Sequence, residues 1–184
     1  MVAGNLRANI QSLLVRKHNL GTTDVFEELI NPKDLSIKEP LCLSLLPKIE
    51  EITGAITLQY SSLAPSIMAV YNPDNHIIHT LYYSQYVKPE FYYHFLLHET
   101  CHALRHSPEG NSSEEFIAEA TAFLLLSEVF PETNPNFTIR YLTEHISFIR
   151  KNERNHWIEV RINSTIDHYH VLLPIVSEIP NDFN

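Results

Sequence analysis

The segment 89–106 constrains this chain more than any other. It carries histidine at 94, 98, 102 and 106, every fourth residue, with no glycine and no proline after Pro89. On an α-helix residues four apart sit one turn above each other, drifting about 40° per step. Pro89 suits a first helical position, where its missing N–H costs nothing. The spacing predicts a helix over 89–106 with neighbouring imidazoles on one side. The same drift places His94 and His106 about 120° apart, so both cannot serve one site.

The flanking sequence divides around this helix. Leu6, Ile10, Leu13 and Leu14 share one face of a helix expected over 5–20, with Asn5 able to cap it and Gly21 able to end it. A short helix is expected over 24–30, and 32–40 reads as a linker between Pro32 and Pro40. Pro47 opens one or two helical turns that Gly54 ends. Residues 55–61, 66–71 and 76–81 are β-leaning, with the turn formers Asn72, Pro73, Asp74 and Asn75 between the last two. These predict a three-stranded antiparallel sheet. Pro108 and Gly110 break the first long helix, and a second runs from Ser112 or Ser113 to before Pro131. Two more helices are expected over 136–150 and 155–173. The class is α+β: helices, a small sheet, then helices in one domain spanning 1–184, with 1–46 as a helical extension.

Within the His ladder, His98, Glu99, Thr100, Cys101 and His102 form an HExxH motif. Two imidazoles one turn apart can converge on one cation. The Glu after the first His stands beside it, where it can take a proton from a bound water. Zinc suits such ligands, and three protein donors leave a fourth position open. The next helix carries Glu115 and Glu119, one turn apart. Glu115 is the expected third ligand and Glu119 the group that holds a ligand imidazole by its free N–H. Three alternatives stand beside this: Glu114 as ligand, Glu119 as ligand, or Glu115 closing a capping box with Ser112. His106 reads as a helix-end histidine near the carbonyl terminus. Cys101 and Cys42 read as buried packing residues.

Charge narrows the partners. The chain of 184 residues has 13 Lys plus Arg against 22 Asp plus Glu, a net charge of −9, and no Lys/Arg cluster is longer than Arg150–Lys151. A surface that tracks phosphates needs a basic stripe, so strong nucleic-acid binding is not expected. Two cysteines cannot build a disulfide framework. No apolar run approaches the ~20 residues of a membrane span, and the first residues lack a signal peptide's apolar core, so the expected compartment is the cytoplasm.

Several segments together resemble a known family. They are Ala69-Val70-Tyr71-Asn72-Pro73, Ile77-Ile78-His79, Tyr92 through Glu99, and Glu114 through Leu124. In this order they are similar to the zincin-like metallopeptidase domain of ArdC-type antirestriction proteins, and more distantly to ImmA/IrrE-type gluzincins. The resemblance covers about residues 47–173. It implies a zincin fold, with His98, His102 and a second-helix Glu as zinc ligands.

Two functions follow as expectations. One is a zinc metallopeptidase acting on a protein or peptide substrate, with Glu99 as general base. Tyr141, His145, His156 or His168 would then supply the oxyanion donor, and strand 76–81 would line the cleft and pair with an extended substrate. The other is a non-catalytic, acidic, zinc-stabilised binding protein of antirestriction type acting on a basic protein partner.

Overall fold

The computed structural model describes residues 3–15, 45–60, 63, 67–82, 86, 88–106 and 111–179. The helix expected over 24–30, the linker 32–40, Gly21 and Cys42 lie outside them. Helix α1 is Ala3–Val15 and α2 is Leu45–Thr53. Strands β1, β2 and β3 are Ile56–Tyr60, Ala69–Asn72 and Ile77–Leu81. Helices α3, α4, α5 and α6 are Pro89–Arg105, Ser112–Val129, Asn136–Ser147 and Arg154–Val176. Among the described residues no helix is long and apolar enough to cross a membrane.

The helix periodicities translate directly. Leu6, Ile10 and Leu13 of α1 are buried in the same core as Ile139, Leu142 and Ile162 of α5 and α6. Asn5 lies inside α1 rather than capping it. Gly54 follows α2 with φ +76°, and its N–H donates to the Glu50 carbonyl at 2.8 Å, the left-handed stop that glycine adopts without a Cβ clash. α4 is buried almost all round, from Glu115 through Ala122 and again at Leu124, Leu125 and Leu126. A helix apolar on every side must sit inside, and α4 packs between α3, α5 and α6.

The sheet departs from expectation. It is mixed rather than antiparallel, in the order β1-β3-β2. β2 and β3 form the expected hairpin, with Tyr71 opposite Ile78, but β1 runs parallel to β3, with Ile56 opposite Ile77. The reason is burial. Ile78, Thr80 and Leu81 are buried, so β3 takes the central place, while Ile56 at 48% and Leu58 at 39% exposure suit an edge. Inserting β3 between the other two turns one of its pairings parallel. A central strand has both its edges occupied, so β3 cannot receive an extended substrate. The strand whose outer edge meets α3 is β2: the Tyr71 N–H donates to Glu99 Oε2 at 2.8 Å.

Candidate metal centre

α3 carries His94, His98 and His102 of the ladder, and His106 is its C-cap. Lys88 precedes it in extended conformation, Pro89 is its first residue, and it ends on His106 at φ +52°, whose N–H reaches the carbonyls of His102 and Ala103. α4 starts on an Asn111 cap, whose side chain accepts the Ser113 N–H. Ser112 is therefore inside the helix, and no Ser112–Glu115 capping box forms. Glu114 turns toward Arg105, with 3.8 Å between Oε2 and Nε. Glu115 turns inward instead. Because His94 meets Glu119 while His102 meets Glu115, α3 and α4 run antiparallel across the site.

The donor atoms of His98, His102 and Glu115 lie within 4.8 Å of one another, and all three residues are buried. His98 Nε2 is 3.3 Å from Glu115 Oε2 and 3.2 Å from His102 Nε2, and His102 Nε2 is 3.6 Å from that same carboxylate oxygen. These three residues lie close enough to bind a metal ion.

Proton placement tests that fit. His98 Nδ1 is 3.1 Å from Glu119 Oε2. An ionised carboxylate only accepts, so the hydrogen-bond network assigns the hydrogen to Nδ1. A neutral His98 then presents a bare lone pair at Nε2, facing a carboxylate oxygen and a second imidazole nitrogen. Those neighbours can meet that lone pair with a hydrogen on His102 Nε2, with a proton, or with a cation. Two imidazole nitrogens and one carboxylate oxygen are a donor set that first-row divalent metals favour.

The electrostatics agree. Burial opposes charge on His98, but Glu115 and Glu119 outweigh it and raise its pKa well above the usual imidazole range. Burial likewise opposes charge on the two carboxyls. His102 and His98 beside Glu115, and His94 and His98 beside Glu119, hold both far below the usual carboxylate range.

Glu119 is 1% exposed and fully engaged. Besides His98, it meets His94 Nε2 at 3.0 Å and accepts the Thr138 hydroxyl. Glu99 is also buried, one residue from His98, and holds the β2 edge through the Tyr71 N–H. Tyr141, on α5, donates its hydroxyl to Glu115 Oε2 at 2.7 Å and stands edge-on to His98. Burial first, then the adjacent Glu115 charge, pushes the Tyr141 pKa far up, so it remains a neutral donor. His145 lies against the Tyr141 ring at 4.7 Å, its pKa lowered chiefly by burial and its buried Nδ1 without a hydrogen-bond partner among the described residues.

Of the four donors weighed from sequence, α5 thus brings Tyr141 and His145 to the site. His156 is exposed on α6, and His168 gives Nδ1 to the Ser164 carbonyl of its own helix. His106 is the C-cap of α3, the helix end expected of it, and its ring stacks on His76 at 3.9 Å. Cys101 is buried, as expected. Sequence reasoning did not reach the roles of His94 and Thr138 around Glu119. The ladder was a signal for His94; a threonine on a later helix gives none. No protein-family model matches the chain, and neither a curated protein nor a solved structure matches it.

Proposed function

We propose that this chain is a zinc-dependent metallopeptidase of the zincin-like, Glu-ligand kind, hydrolysing a peptide bond of a protein substrate. One observation carries the reading: His98, His102 and Glu115 turn three donor atoms to one buried point, with a carboxylate one residue from the first of them. In this reading His98 and His102 through Nε2, and Glu115 through its carboxylate, hold the ion. When bound, zinc lowers the pKa of a coordinated water and polarises a carbonyl.

The chain's own residues supply the rest. Glu119 keeps the His98 hydrogen on Nδ1 and so keeps Nε2 free to ligate. Glu99 takes the proton of the attacking water and passes it to the leaving nitrogen. The Tyr71 N–H orients that carboxylate. Tyr141, once its hydroxyl swings from Glu115, or His145 beside it would donate to a developing oxyanion.

A second reading has its own support. Glu99 also ties α3 to β2, so its presence does not require a base, and the −9 charge suits a basic protein partner. Glu99→Gln separates the two. Glutamine still accepts the Tyr71 N–H through its carbonyl oxygen but cannot act as a base near neutral pH. In a proteome-wide cleavage assay, the metallopeptidase reading expects a folded, zinc-loaded variant with hydrolysis abolished. A wild-type protein without cleavage, whose cellular phenotype the variant fully retains, would leave the acidic binding protein as the function.

A further inference from the structure

Glu119 carries more hydrogen bonds than holding one imidazole needs. Its carboxylate is 1% exposed and meets three donors. His98 Nδ1 reaches Oε2 at 3.1 Å, the Thr138 hydroxyl reaches Oε1, and His94 Nε2 reaches both oxygens, at 3.0 and 3.1 Å. An ionised carboxylate only accepts, so the network assigns hydrogens to His94 Nε2, His98 Nδ1 and Thr138 Oγ1. All three donor residues are buried as well.

The three contacts do different things. The last torsion of a glutamate side chain is soft, because a carboxylate turns about its final bond with little preference. The His98 N–H meets one oxygen and the Thr138 hydroxyl the other. Of the three donors, His94 alone spans both. Its N–H, nearly equidistant from the two oxygens, fixes the plane of the carboxylate and so decides where Oε2 points. His94 is itself fixed: Phe95 and Phe137 stand edge-to-face to its ring, with centroids at 5.7 and 5.4 Å. Its place in the ladder, one turn before His98, puts it about 6 Å along the helix axis from that residue. It is not itself a ligand. Among the described residues only His98, His102 and Glu115 gather donor atoms that could hold an ion.

We propose that His94 is a positioning residue of the metal centre. It sets the plane of the Glu119 carboxylate, so that Oε2 takes the His98 Nδ1 hydrogen and His98 Nε2 is left to ligate. This role rests on the metal reading of His98, His102 and Glu115. It extends the hydrogen-bonded support of the site one group further out, from ligand to carboxylate to a second histidine. A carboxylate so held needs no rearrangement when the ion arrives, which raises affinity without a new contact to the ion. A purely structural His94–Glu119 pair would support the fold and leave zinc affinity alone, so the two roles are separable.

The test is the zinc affinity of the full chain by chelator competition, with circular dichroism to verify folding. His94→Phe keeps an aromatic ring and removes the donor; His94→Leu takes its place if that variant does not fold. Either is expected to lower zinc affinity about tenfold. His94→Gln, whose side-chain amide N–H replaces the Nε2 hydrogen, should stay within about threefold of the wild type. In Glu119→Ala there is no carboxylate to orient, so adding the His94 substitution should change affinity by less than about twofold. Equal affinity in the wild type and the donor-less variant would overturn the proposal while leaving the metal reading intact. So would a tenfold loss that persists in the Glu119→Ala background, or a His94→Gln protein as weak as His94→Phe. A wild-type chain that takes up no zinc would fail earlier, at the metal reading itself, and the role of His94 would fall with it.

Discussion

At the scale of single residues, the site sets His98 between the carboxylates of Glu115 and Glu119, and its pH behaviour follows. In the metal-free protein the His98 pKa lies above its ordinary 6.5. Its protonated form therefore contributes stability that is full below about 6.5 and lost as pH rises through the raised folded value. Glu115 and Glu119 have pKa values below their ordinary 4.5. Their contribution is present above about 4.5 and lost as pH falls through the depressed folded values. Metal-free stability should thus peak between about 4.5 and 6.5, which urea titration across pH would measure. A metal ion competes with the His98 proton, so affinity should rise about tenfold per pH unit up to the folded His98 pKa. A pH-independent affinity in a chelator competition would remove His98 from the site. The same assay ranks the carboxylates: Glu115→Ala should abolish binding, and Glu119→Ala should weaken it ~10 to 100-fold. The reverse ranking would exchange their roles.

At the scale of elements, α3 and β2 are joined through one side chain. On the outer edge of β2 the Tyr71 N–H has Glu99 as its acceptor. Hydrogen exchange should find that amide protected in the wild type, still protected in Glu99→Gln, and released in Glu99→Ala, while the β3 amides stay protected in all three. Fast Tyr71 exchange in the wild type would contradict the contact. The entry to the sheet is a second sensitive point. At Gly54 the backbone has φ +76°, and a Cβ there would meet His76 Nε2 at 3.4 Å. Gly54→Ala is expected to destabilise by about 1 to 2 kcal/mol in urea titration, from left-handed strain, with metal affinity unchanged.

At the scale of the whole molecule, α3 and α4 supply His98, His102 and Glu115, α5 supplies Tyr141 and Thr138, and α1 packs on α5 and α6. Leu6→Ala or Ile10→Ala, both at fully buried positions, should cost about 2 to 5 kcal/mol although each lies far from the site in sequence. Metal should raise the melting temperature in proportion to RT ln(1 + [L]/Kd). A chelator should lower it in the wild type and leave it unmoved in Glu115→Ala. A wild-type melting temperature indifferent to zinc and chelator would argue against the metal centre.

What the sequence by itself determined is local. Periodicity located α3 to within a residue, because a fourfold histidine spacing after Pro89 has one helical reading, and turn chemistry found the β2–β3 hairpin and the Gly54 stop. The same spacing made His98, His102 and Glu115 candidates to meet, since contacts one turn apart on two successive helices are short-range consequences of helix geometry. Tertiary structure alone decided the rest. Strand order was not legible, because alternation reports which face is buried and not which strand lies in the middle; the burial of Ile78 and Leu81 against the exposure of Ile56 and Leu58 put β3 there. Equally, four donors scattered over α5 and α6 were equivalent along the chain, and only the packing of α5 across α4 brought Tyr141 to 2.7 Å from Glu115 while leaving His156 in solvent. Contacts between distant helices depend on how ridges of side chains interlock, and that is a property of the assembled core.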